Sequence, residues 1–175
     1  MSETSSRTSL GIRVAGGFVA AALVAGCFWR FGFGADAAIG ALFCLVLVVL
    51  TVTDLESRRI PNVVVLPAAL VVLGARMAFT AGDALQWPVA GLAAAGFLLA
   101  VALVHPPGLG MGDVKLALLI GFGLGESTVL AMVVGLCGAA AYSVILLVRR
   151  GAGARTTTFA LGPFLALGGV LALFV

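Results

Sequence analysis

Two aspartates stand beside distinctive short segments in an otherwise strongly apolar chain. Asp54 begins the segment DLESRRIPN after one apolar run, and Asp113 lies in GMGDVKL at the start of another. A charge inside a membrane segment costs about 2.5–3.5 kcal/mol at a helix centre, so a carboxylate there suggests a function. Two carboxyl groups about 3 Å apart share one proton, so one can activate water while the other polarises a carbonyl.

Each aspartate also has a purely structural interpretation. Asp113 could cap the N-terminus of the helix that follows it, where a carboxylate is stabilising. Asp54 ends an apolar run, and a carboxylate at a helix C-terminus is unfavourable, although Arg58 could form a surface ion pair with it. The residues alone leave both interpretations open.

Three neighbours of Asp113 are candidates for supporting the pair. Gly110 and Gly112 flank Met111 in a predicted turn, and their missing side chains would let an extended peptide approach the carboxylate. Lys115 follows Asp113 by two positions. It either holds this loop in place or anchors the cytoplasmic side of the membrane segment, and the sequence does not favour one role over the other.

The elements that must position these residues are membrane helices. The 175-residue chain is 62% hydrophobic and 10% charged, whereas soluble domains carry about 25% charged residues. We expect one all-α polytopic membrane domain over residues 1–175, with six to seven transmembrane helices. The predicted spans are 12–30, 36–54, 63–80, 87–104, 126–148 and 159–175, with a shorter apolar helix at 113–124.

Basic residues predict the orientation. With a cytoplasmic N-terminus, every Lys and Arg except Arg30 and Arg76 lies on the inner side, which matches the positive-inside rule. Two membrane crossings separate Asp54 from Asp113, so both should lie near the cytoplasmic face. The cations are scattered through short loops and form no basic stripe, which argues against a nucleic-acid partner.

Three segments carry a family resemblance: DLESRRIPN at 54–62, GMGDVKL at 110–116 and ALGPFLALGG at 160–169. In order and spacing they resemble the signature segments of the type IV prepilin peptidases, membrane aspartyl proteases of the G-x-G-D class. The resemblance implies that Asp54 and Asp113 are the catalytic pair. It implies a pilin-like precursor as substrate, cut at the cytoplasmic face of the inner membrane to remove a basic leader. Such a mechanism needs no metal or cofactor.

The loop between the first two predicted spans distinguishes this chain from larger members of that family. It reads RFGFGAD and lacks their cysteine-rich insert, so we expect peptidase activity without methyltransferase activity. The short form resembles the dedicated peptidases of tight-adherence (Flp) pilus systems. Two other classes stay open: a proton-coupled membrane transporter, and a noncatalytic assembly subunit of a pilus or secretion system.

Helix packing could explain the third segment, and the family resemblance suggests that this segment packs around the two aspartates. In the third segment, Gly162, Gly168 and Gly169 would allow close helix approach, and Pro163 would introduce a kink. The three cysteines lie in apolar spans without a C-x-x-C spacing, so we predict small buried side chains and no structural disulfide; they are Cys27, Cys44 and Cys137.

Overall fold

The regular secondary structure is helical throughout the described part of the chain. A computed structural model describes residues 2–57, 60–80, 84–104, 109–150 and 160–175. The α-helices are α1 (Ser2–Phe31), α2 (Ala35–Ser57), α3 (Asn62–Phe79), α4 (Gln86–Val104), α5 (Met111–Leu124), α6 (Thr128–Arg150) and α7 (Gly162–Phe174). A short 3-10 helix, Gly125–Ser127, joins α5 to α6. The predicted all-α membrane architecture is confirmed.

Five stretches of the described residues are long and apolar enough to cross a bilayer. They are Leu10–Phe31, Ala35–Ser57, Asn62–Phe79, Gln86–Val104 and the continuous stretch Met111–Arg149. The last contains both α5 and α6, which Gly125 separates with a φ of 56° that favours glycine. Helix α7 has 13 residues, fewer than the roughly 20 of a full span that we expected at 159–175.

Helix α5 occupies the centre of the bundle and crosses α4 at very short range. The side chains of Leu116, Ala117 and Leu119 are at most 1% exposed. At the crossing, a Cβ atom built on Gly121 would overlap the backbone of Gly91. Because no side chain separates the two backbones, α4 fixes the position of α5, and with it the position of Asp113.

Helices α6 and α7 run antiparallel through a second close crossing. Gly168 lies against the backbone of Ala131 and Gly135, and Gly135 in turn lies against Leu165. Residue numbers therefore rise along α6 as they fall along α7, so α6 turns back toward the end of the bundle where α5 begins. The close approach predicted from the glycines of the third segment is confirmed at Gly168.

Polar side chains collect at the two ends of the bundle. At one end, Arg76 is only 7% exposed, forms an ion pair of 3.0 Å with Asp36 and donates a hydrogen bond to the Gly123 carbonyl oxygen. Its guanidinium also lies 4.8 Å from the ring centroid of Trp87. Helix direction places Asp54 at the other end of α2, away from this cluster. The site with the two aspartates thus lies at the opposite end of the bundle.

The cysteines only partly follow the prediction. Cys27 and Cys44 are fully buried free thiols with their sulfur atoms 3.9 Å apart, between α1 and α2. Cys137 is also a free thiol, but it is exposed on α6. The prediction of a buried side chain was wrong for Cys137, because its position on α6 faces outward from the bundle.

Candidate active site

Asp54 lies in the last turn of α2 and faces the interior. The residue is 6% exposed, and α2 continues beyond it to Ser57. Gly162, the first residue of α7, lies against its carboxyl group: a Cβ built on Gly162 would stand 2.6 Å from Asp54 Oδ2. Arg58, considered above as an ion-pair partner of Asp54, lies outside the described residues.

Asp113 is the third residue of α5 and not its N-cap. Gly110 takes the N-cap position with an extended backbone, φ −79° and ψ 144°, and the Asp113 N–H donates to the Gly110 carbonyl oxygen at 3.0 Å. The backbone N–H of Gly110 in turn donates to the Asp113 carboxyl group. This reciprocal pairing has the pattern of a capping box, in which the third helical residue reaches back to the N-cap. It fixes the direction of the carboxyl group.

The fold brings these two carboxyl groups together. The Asp113 side chain is partly buried, and it lies close enough to Asp54 for the charge of Asp54 to act on its carboxyl group. In such surroundings two like charges repel strongly, so a state with one shared proton is favoured. This electrostatic interaction couples the end of α2 to the start of α5.

Ile60 connects the three signature segments. A Cβ atom built on Gly112 would lie 3.0 Å from Ile60 Cβ, and one built on Gly162 would lie 3.6 Å from Ile60 Cδ1. Ile60 therefore packs between the start of α5 and the start of α7. The sequence prediction did not include Ile60 among the site residues. For the segment that contains Gly162, the family resemblance suggested only a packing role around the aspartates, and Gly162 does pack against Asp54.

The role expected for Gly112 needs correction. We expected its missing side chain to leave room for a substrate peptide, but Gly112 already lies in the first turn of α5 and Ile60 occupies the space. Gly110 is placed differently, because a Cβ there would lie 3.3 Å from Asp113 Oδ2. The missing side chain of Gly110 therefore leaves space beside the Asp113 carboxyl group.

Lys115 connects α5 to α3. Its Nζ donates a hydrogen bond to Asn62 Oδ1 at 2.6 Å, and Asn62 is the first residue of α3 after Pro61. The bond holds the start of α5 beside the chain that carries Ile60. This geometry favours the loop-holding role over that of a membrane anchor alone.

The chemistry available at this end of the bundle is that of carboxyl groups. Within the described ranges, no group of three or more His, Cys, Asp or Glu side chains is placed to hold a metal ion. Two close carboxyl groups that share a proton can supply a general base and a general acid at once. That combination suits the addition of water to an amide.

Comparison with known proteins decides the family. The sequence model described as the Type IV leader peptidase family matches residues 41–174, a range that contains both aspartates and all three signature segments. The chain belongs to the Type IV leader peptidase family.

A curated relative of the chain agrees with that assignment. The chain is 32% identical over 179 residues to the prepilin leader peptidase/N-methyltransferase of Bacillus subtilis (strain 168), a match that covers 94% of this chain and 68% of the relative. No solved structure matches the chain. The resemblance drawn from the three segments is confirmed at the level of the family, which consists of membrane-embedded aspartic peptidases.

Proposed function

We propose that this protein is a membrane aspartyl endopeptidase that removes the basic leader peptide from type IV pilin-like precursors of the Flp type. Asp54 and Asp113 form its catalytic pair. The observation that carries the proposal is the electrostatic interaction of these two carboxyl groups, from α2 and α5, at one end of an apolar bundle. Membership in the leader peptidase family supports the substrate class.

The proposed reaction is the hydrolysis of one amide bond. The ionised carboxylate takes a proton from water, and the protonated carboxyl group donates a hydrogen bond to the scissile carbonyl oxygen. Water oxygen adds to the carbonyl carbon. The tetrahedral intermediate collapses as the leaving nitrogen takes up a proton, and the pair returns to its one-proton state.

The supporting residues act on the position of the pair. Gly162 allows α7 to lie against Asp54, and Gly110 holds the Asp113 carboxyl group through its backbone N–H. Ile60 packs against Gly112, and Lys115 binds the start of α3 through its hydrogen bond to Asn62. Preorganised geometry of this kind matters because a displacement of about 1 Å can cost a hundredfold in rate.

We further propose an inner-membrane location with the N-terminus and the active site on the cytoplasmic side. Arg13 and Lys115 lie at the end of the bundle that holds the aspartates, whereas Arg30 and Arg76 lie toward the other end, in agreement with the positive-inside rule. A cytoplasmic active site would meet a basic leader before its apolar helix enters the membrane.

The proposed activity does not include methylation of the new N-terminus. The Bacillus relative is named a peptidase and an N-methyltransferase, but here only residues 32–34 separate α1 from α2. These three residues contain no cysteine-rich insert like the one that the resemblance attributes to larger family members. Incubation of the purified protein with S-adenosylmethionine and mature pilin, followed by mass spectrometry, should therefore show no added methyl group.

Co-expression tests the peptidase proposal. An epitope-tagged Flp-type pilin precursor should become smaller on a gel when it is expressed with this protein, and sequencing should place the new N-terminus just before the apolar helix. An unchanged precursor would contradict the proposed function. Processing that persists after loss of both aspartates would favour the noncatalytic assembly-subunit interpretation.

A further inference from the structure

An apolar groove runs along the bundle beside the proposed active site. It has a volume of about 480 Å³ and lies between α1, α2 and α7. Thr51 and Leu55 of α2 and Pro163 of α7 line the end of the groove that is nearest to Asp54. Since Pro163 directly follows Gly162, which contacts Asp54, the groove and the aspartate lie on two sides of the same turn of chain.

A carboxylate stands at the mouth of this groove. Glu56 follows the lining residue Leu55, and Arg13 follows the lining residue Ile12. Arg13 holds Glu56 through two hydrogen bonds, Nε to Oε1 at 2.9 Å and a terminal guanidinium nitrogen to Oε2 at 3.1 Å. The Arg13 side chain is 66% exposed and the Glu56 side chain, which it covers, is 19% exposed. Because water competes with ion pairs at the surface, another cation can take the place of Arg13.

The position of Glu56 fits the binding of a basic group. Among the described side chains at this end of the bundle, the acids are Asp54, Glu56 and Asp113, and two of them form the proposed catalytic pair. Two positions along a helix turn the side chain by about 200°, so Glu56 faces α1 while Asp54 faces the interior. Glu56 is therefore the carboxylate left for recognition.

Close packing of α1 on α2 keeps Arg13 near Glu56. A Cβ built on Gly16 would stand 2.7 Å from a methyl carbon of Val52, so the two helices approach closely one turn after Arg13. The wall of the groove and the ion pair at its mouth are thus parts of one helix-helix contact. A segment that enters the groove passes this ion pair.

We propose that this groove is the docking surface for the pilin-like precursor. Its apolar helix packs against α1, α2 and α7, and a basic residue of its leader replaces Arg13 on Glu56. The proposal rests on the proposed function. The docking inference follows from the order of the surfaces along the bundle. A carboxylate followed by an apolar wall complements a precursor that is first basic and then apolar. The two aspartates lie beside the point where the basic leader of the precursor meets its apolar helix.

Opposite effects of the two ion-pair partners test the recognition of the leader. Glu56→Gln should raise KM for a tagged Flp-type precursor with a lysine in its leader by about fivefold, because the basic group loses its partner. Arg13→Ala should lower KM, because Arg13 no longer competes. Equal losses in both variants would mean that the pair is only structural, and would overturn this part of the proposal.

Charge reversal provides the stricter test. Glu56→Lys should slow cleavage of the lysine-bearing precursor, and exchange of that lysine for glutamate should restore cleavage by the Glu56→Lys variant. The glutamate-bearing precursor should be a poor substrate for the wild-type protein. Failure of the exchange to restore cleavage, with both proteins present in the membrane at equal abundance, would contradict binding at Glu56.

Filling the groove tests the docking of the apolar helix. Ala15 is an exposed lining residue of α1, and Ala21 is an exposed residue of α1 outside the lining. Ala15→Phe should raise KM several-fold, whereas the matched control Ala21→Phe should cleave like the wild type. Equal activity of the two variants would contradict the docking surface.

Photo-cross-linking identifies what occupies the groove. With benzoylphenylalanine at position 15 in the inactive Asp54→Asn background, we expect an adduct with the tagged precursor, and none from position 21. Adducts with lipid alone or with a second copy of this chain would overturn the proposal. Cleavage of the same precursor by the wild-type protein separates the proposed function from the docking inference. If the wild type does not cleave the precursor, the proposed function fails. If it does cleave the precursor but no adduct forms at position 15, only the docking inference fails.

Discussion

Ile60 packs directly against Gly112, so that a Cβ atom at residue 112 would lie only 3.0 Å from Ile60 Cβ. This contact joins the segment that follows Asp54 to the helical turn that carries Asp113. The distance between the two carboxyl groups therefore depends on residue 112, where glycine has no side chain to push Ile60 away. Glycine at this position of the G-x-G-D segment has a packing role.

Loss of either carboxylate should stop the reaction. Asp54→Asn and Asp113→Asn keep the side-chain shape but cannot exchange the shared proton, so each should lower precursor cleavage by a factor of about a thousand or more. The double variant should be no worse than either single one. Gel analysis of the precursor measures cleavage by the single and double variants, and immunoblotting of the membrane fraction measures their abundance. Substantial cleavage by one single variant would remove that residue from the catalytic pair.

The contact between Ile60 and Gly112 predicts a rescue. Gly112→Ala should lower kcat about tenfold, since Ile60 must move and the start of α5 moves with it. Ile60→Gly in the same chain should recover part of the loss, because it removes the Ile60 Cβ that would lie 3.0 Å from the added methyl group. Cleavage rates of the two single variants and the double variant provide the measurement, and additive losses would contradict this packing role.

Substitution of Gly162 should lower cleavage at least as much as substitution of Gly112, because Gly162 lies directly against Asp54. Gly162→Ala places a methyl group against Asp54 Oδ2, where the built Cβ distance is 2.6 Å, and should lower kcat more than tenfold. Gly74→Ala is a suitable control, because nothing lies within 4 Å of a Cβ at that position of α3. Equal cleavage rates for the two variants would show that Gly162 does not position Asp54.

The crossing of α4 and α5 predicts a difference in stability. Gly121→Ala forces the two backbones apart and should lower the free energy of unfolding by about 1–3 kcal/mol, the usual cost of overpacking. Gly96→Ala, on α4 with open space around it, should leave stability unchanged or slightly higher. Thermal unfolding in detergent, followed by tryptophan fluorescence, compares them. A lower melting temperature for the Gly96 variant than for the Gly121 variant would contradict the close crossing.

Thiol and metal reagents should leave cleavage intact. N-ethylmaleimide should spare Cys27 and Cys44, which are fully buried, and any labelling should fall on Cys137, which faces outward from the bundle. Mass spectrometry of the labelled protein checks this distribution, and the precursor assay should show unchanged activity with the label or with a strong chelator present. Inhibition that persists in a Cys137→Ser variant, or that metal addition reverses, would contradict a mechanism based on carboxyl groups alone.

The sequence by itself determined the architecture and the identity of the candidate pair. Hydropathy is a local property that adds up along the chain, so runs of apolar residues identified the membrane helices, and the basic loops predicted their direction. Two crossings between Asp54 and Asp113 then required both residues to lie at one end of the bundle. The predicted ends differed most from the observed ones at the start of α1, which begins at Ser2 and not at residue 12, and at the ends of α2 and α7, because helix ends depend on caps and packing.

Only the tertiary structure decided which side chains meet around that pair. Gly162 against Asp54, Ile60 in the space beside Gly112, and Lys115 on Asn62 all join residues that are distant in sequence. Such contacts depend on how far each helix is rotated about its axis and how closely its neighbours approach. The periodicity of one segment does not contain that information. The structure supplies it through the close helix crossings at Gly121 and Gly168, where backbone contact leaves the helices little freedom to rotate.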